Sequence, residues 1–180
     1  MRNGIFSAIF AALICAGWMI AIPLGPIPIV LQNALAVLAG LLLGPLYGSL
    51  SVLLFLIAGM LGLPVFSGGR GGLAVLAGPT GGFLIGYFFA AFLAGGIAGL
   101  LLKNQRSRRF TYITMAAAAL AGFALIYVFG LLRFKQVLNL SWPHTFVKGF
   151  LPFIIPDLIK TLIIVPAAVK IRPILNRYTA

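Results

Sequence analysis

Between Asn33 and Leu63 the chain runs for 31 residues without a charged side chain. As one α-helix that run would be about 46 Å long at 1.5 Å per residue, well past the roughly 30 Å hydrocarbon core of a bilayer. Gly44, Pro45 and Gly48 stand in its middle, and a helix breaks most easily where glycine frees the backbone and proline removes a donor. The run therefore predicts two short spans, at 33–46 and 48–62, joined by a tight turn. Other apolar runs predict spans at 5–22, 80–102, 111–132 and 150–170. The first of these follows Arg2 and resembles a secretory leader, but no polar mature segment comes after it, so it counts as a span.

A soluble domain is excluded. Of 180 residues, 13 are Lys or Arg and one is an acid, whereas soluble proteins carry roughly a quarter of their residues as charges. Six spans of about 20 residues each use about two thirds of the chain. The expected fold is an all-α integral membrane protein, a single six-helix membrane domain over residues 1–180. The net charge of +12 does not indicate nucleic acid, because the bases lie between apolar runs. With six spans, Arg2, Lys103, Arg106, Arg108, Arg109, Lys170, Arg172 and Arg177 share one side, against Arg70, Arg133, Lys135 and Lys148 on the other. Eight bases against four places both termini in the cytoplasm by the positive-inside rule; a five-span reading gives a poorer seven against five.

Chemistry is limited by what is missing. Cys15, His144 and Asp157 are the sole cysteine, histidine and acid, so the sequence holds no disulfide, Cys/His metal cluster or carboxylate pair, and it has no phosphate-binding loop. An enzyme, a metal site and hydrolysis of ATP by this chain are not expected. Two predicted outer loops, 23–32 and 63–79, are apolar yet rich in Gly and Pro. Irregular backbone at membrane depth must be covered by protein or line a cavity, so these loops are expected to cap a ligand pocket. Alternatively, their glycines serve only tight turns and close helix contact.

Few side chains can contact a ligand. Asp157 and Lys160 share a face of the last span, and ionisable groups there face a partner or a cavity. They form either a packing pair, or an acceptor for ligand N–H groups beside a counter-charge for an anion. Arg70 stands alone among glycines at 68–72 and suits a carboxylate or a lipid headgroup. Gln32 offers an amide, Asn33 an amide or a helix cap, and Phe66, Tyr87 and Trp142 apolar walls. His144, beside Pro143, is assigned no role. Ala8, Ala12 and Ala16 repeat every fourth residue on the first span, a flat stripe for another helix from this chain or from a partner.

The segments PIPIVLQ, GLPVF, the GRGG loop with GPTGG, and D-x-x-K in the last span occur together in an order that resembles the BioY family. These are biotin-specific substrate-binding (S) components of energy-coupling factor (ECF) transporters. Val30 stands where the family commonly has Thr. The resemblance implies a six-helix S component in a prokaryotic plasma membrane, holding biotin without a cofactor in an outward-facing pocket under the first and third loops. It implies Asp157 against the ureido ring, with Lys160 and Arg70 toward the valerate tail. It also implies a transmembrane coupling subunit, met through Ala8, Ala12 and Ala16, two ATPase subunits, and tipping of the S component in the lipid bilayer to release its ligand. From the residues alone two rivals stay open: a binding subunit for another vitamin, and a proton-coupled carrier titrating Asp157.

Overall fold

Gly44 is the break in the long apolar run: its φ of 79° and ψ of −178° lie outside any helix. The computed structural model describes residues 2–23, 27–102 and 107–179. Helix α1 (Arg2–Ala16) leads through a short 3-10 turn to an antiparallel pair, β1 (Ala21–Ile22) and β2 (Ile29–Val30). There follow α2 (Gln32–Met60), α3 (Leu73–Ala77), α4 (Gly81–Leu101), α5 (Arg108–Leu138), α6 (Trp142–Gly149) and α7 (Leu151–Thr179).

The two halves of α2 form a hairpin. Gln32 Nε2, at the start of the first half, donates to Val65 O beyond the end of the second across 2.8 Å. The turn falls at Gly44, slightly earlier than expected, because only glycine adopts that φ without strain and Pro45 needs no donor as it begins the second half. Among the described residues five helices are long and apolar enough to cross a membrane when α2 is counted as one; its break makes six rods, in keeping with the six expected.

Small residues set the spacing. A Cβ on Gly40 would lie 2.2 Å from Ala91 O of α4, and one on Gly95 would lie 2.6 Å from Gly44 C. Backbones in contact replace the hydrophobic driving force that lipid removes. At one end of the bundle, Ser7 Oγ donates to Tyr47 O across 3.0 Å, and the Arg172 guanidinium approaches Gly99. The start of α1, the turn in α2, the end of α4 and the last turns of α7 therefore share this end, the one expected to be inner. At the opposite end, expected to be outer, lie the β1–β2 pair, the 63–79 segment and α6. Residues 24–26 of the first loop, and Lys103 and Arg106 among the counted bases, fall outside the described residues.

The outer loops hold more structure than the sequence suggested. Phe66 and Arg70 bond as a β-bridge, Phe66 N to Arg70 O at 2.8 Å and Arg70 N to Phe66 O at 3.2 Å. Gly68 and Gly69 turn between them with φ of 77° and 67°. Helix α3 follows, and Arg133 of α5 holds it by donating Nη2 to Ala77 O. Helix α6, also unforeseen, carries proline in its first turn, where the missing N–H costs nothing.

Candidate ligand-binding site

Asn33, Tyr127 and Lys160 come from three helices and converge on Asp157. Asp157 Oδ1 accepts from Lys160 Nζ at 2.8 Å and from Asn33 Nδ2 at 3.0 Å, and Oδ2 accepts from the Tyr127 hydroxyl. Lys160 Nζ also donates to Asn33 Oδ1 at 3.0 Å. Asp157 is 6% exposed and Lys160 9%, so each would be untenable without the other. Their i, i+3 spacing on α7 lets them pair within one turn.

A narrow cleft opens at the outer end beside this cluster. One part is lined by Asn33, Tyr127, Lys160 and Phe153. The other is lined by Gln32, Phe66, Ser67, Arg70, Val75 and Thr80. Ile27, Pro28, Val30, Phe83 and Tyr87 line both parts, so the two adjoin. The roof of the cleft is the two glycine- and proline-rich loops, as expected of caps: Ile27, Val30 and Phe66 turn inward and are buried.

The expected residues distribute as follows. Lys160, Asn33, Gln32, Arg70, Phe66 and Tyr87 all line the cleft. Asp157 does not; it sits behind Asn33, Lys160 and Tyr127, on the side where an apolar groove runs between α5 and α7. Both its oxygens are engaged, so it acts on the cleft by holding those three groups. Asn33 does not hold the N-cap position, which is Leu31, but its Oδ1 accepts from Ala34 N at 2.9 Å in the first turn of α2. Arg70 is exposed at the mouth, donating Nε to Ser67 O at 3.2 Å. Trp142 lies outside the cleft, its ring under Lys135 Nζ at 5.4 Å, and His144 Nδ1 pairs with Ser141 Oγ at 2.7 Å.

Sequence reasoning missed Tyr127, Phe83, Ser67 and Thr80. Tyr127 left only a weak signal, a hydroxyl in an otherwise apolar span. Ala8, Ala12 and Ala16 are exposed, while α1 buries Ser7, Ala11 and Ile14.

Residues 1–177 match the BioY family. A probable biotin transporter BioY of Pyrococcus horikoshii is 40% identical over 153 residues, 85% of each chain. A biotin transporter BioY of Thermotoga maritima is 39% identical over 176 residues, 96% of each. Among solved structures, the S-component for biotin from an ECF-type ABC transporter superposes with a TM-score of 0.86 at 33% identity, over 96% of this chain and 91% of that one.

Proposed function

This chain belongs to the BioY family, and we propose on that basis that it is a biotin-binding S component whose outer cleft takes the vitamin. It is a multi-pass membrane transport protein and not an enzyme. The observation that carries the ligand reading is the distribution of polar groups along one apolar cleft. Lys160 and Asn33 supply donors at its buried end, Arg70 supplies a cation at its mouth, and Ile27, Val30, Phe83 and Tyr87 wall the space between. That pattern suits a small ligand with a polar ring, an apolar body and a carboxylate. Biotin fits with its ureido carbonyl toward Asn33 and Lys160 and its valerate toward Arg70, which suits a guanidinium fork.

Asp157 then works as a positioning group, because its carboxylate oxygens are taken by Asn33, Lys160 and Tyr127. That engagement of both oxygens argues against a proton carrier, which needs a carboxylate free to exchange its proton with a chain of further groups. Transport is driven from outside this chain, through a transmembrane coupling subunit and two ATPases. The exposed Ala8, Ala12 and Ala16 are the surface for the coupling subunit: small residues four apart permit close approach, and all three are left exposed by the described residues. With both termini at the inner end, the base count puts that end in the cytoplasm of a prokaryotic cell and the cleft outside, in contact with the outer leaflet of lipid.

Titration calorimetry of the purified chain with biotin, and with other vitamins as competitors, tests the reading. Saturable binding of biotin without ATP or metal is expected. Saturation by a different vitamin, with no heat from biotin, would overturn it.

A further inference from the structure

Gln32 is fully buried at the start of α2, and its amide is used on one side only. Nε2 donates to Ile14 O in the last turn of α1 at 2.9 Å and to Val65 O in the outer loop at 2.8 Å. Both partners are carbonyls, so only the amino side of the amide can face them, and the assignment of Nε2 and Oε1 follows from chemistry. Oε1 is left buried and, among the described residues, without a partner. Gly17 lies against the stem of the side chain: a Cβ there would meet Gln32 Cγ at 3.1 Å. A buried acceptor left unpaired is costly and rare in native proteins, and Gln32, the residue that carries it, lines the cleft.

The rest of the cleft gives the orphan oxygen its meaning. Lys160 and Arg70 can only donate. Asp157, the other strong acceptor nearby, has both oxygens engaged and does not line the cleft. A cyclic urea placed with its carbonyl toward Asn33 and Lys160 still has N–H groups to satisfy. We propose that Gln32 Oε1 accepts a ligand N–H, and that this bond closes a bridge from ligand to the end of α1 and the outer loop. The inference rests on the biotin reading. An amide whose oxygen accepts is a better donor through its nitrogen, so an occupied cleft tightens the bonds to Ile14 O and Val65 O. Gln32 thereby reports occupancy to α1, the helix that carries the exposed alanine stripe.

The test uses the full chain in lipid nanodiscs, with biotin and its two ring N-methyl derivatives, on the parent and on Gln32→Met. In the parent, one of the two methylations is expected to weaken binding about tenfold or more, the effect of losing a buried hydrogen bond. In Gln32→Met, biotin itself weakens by a similar factor, and that methyl derivative binds as well as biotin. Hydrogen exchange is the second readout: saturating biotin should slow exchange at 14–19 and 63–72 in the parent and do so much less in the variant. Undiminished discrimination, or equal protection, in Gln32→Met overturns the proposal. Should that variant fail to fold, the parent alone decides: both methyl derivatives binding within twofold of biotin overturns it. A parent that does not bind biotin at all overturns the underlying reading, and this inference with it.

Discussion

Lys160 Nζ lies 3.0 Å from Asn33 Oδ1, joining the middle of α7 to the first turn of α2 between residues 127 positions apart. The bonds that close the bundle at its outer end are thus the bonds that form the deep end of the cleft. Substitutions there act on stability and on binding, and the two effects can be separated.

Lys160→Met leaves Asp157 as a buried anion with no counter-charge, and breaking such a pair costs about 3–5 kcal/mol. Thermal unfolding in detergent should show that loss. Adding Asp157→Asn removes the stranded charge and should restore most of the stability, while affinity for biotin stays low because the donor to the ligand is gone. Normal affinity in the double variant would take the Lys160 charge out of the site.

Arg70→Gln should matter only for ligands that carry the carboxylate. Hydrogen bonds to charged groups contribute about 1.5–3 kcal/mol; Arg70 is exposed, so the lower end applies, about a tenfold loss for biotin. Biotin amide should bind parent and variant alike. Competition binding with the two ligands checks this, and an equal loss for both would assign Arg70 to folding of the loop.

Gly59→Ala tests whether the roof of the cleft is set by packing. A Cβ there would lie 2.1 Å from Phe66 Cζ, and Phe66 is already held edge-on by Phe55, ring centres 5.4 Å apart. Overpacking of about 1–3 kcal/mol is expected, with weaker biotin binding as Phe66 is displaced. Gly96→Ala, where a Cβ meets nothing within 4 Å, should leave binding intact and raise stability by up to about 1 kcal/mol through helix propensity.

Replacing Ala8 and Ala12 by Trp fills the exposed stripe and touches no part of the cleft. The double variant should bind biotin normally when alone, yet co-purify poorly with the coupling subunit and support little uptake. Recovery of the whole transporter at parental yield would move the coupling surface elsewhere.

The sequence made the six rods readable because lipid imposes a simple length rule and because Gly44 and Pro45 advertise the break. Asp157 and Lys160 stood out as ionisable groups inside an apolar run, and three-residue spacing paired them before any tertiary contact was known. Tyr127 was hidden for the opposite reason: a tyrosine in a span reads as a wall, and its hydroxyl acquires a role only through a carboxylate 30 residues away. The retreat of Asp157 behind its donors was equally invisible, since spacing shows which face of a helix a residue takes and not which neighbour stands in front. Helices α3 and α6 escaped because elements of five and eight residues carry too few turns for an apolar pattern to emerge.

Where α2 crosses α4, main chain lies on main chain at Gly40, Ala91 and Gly95. There are no rotamers to exchange at such a crossing, so the α2–α4 contact itself has little room to adjust. Deformation is channelled to the outer end, where side chains and glycine turns can yield. The protein is a stiff stem carrying a soft crown, and a new ligand preference can be written into the crown without disturbing the stem.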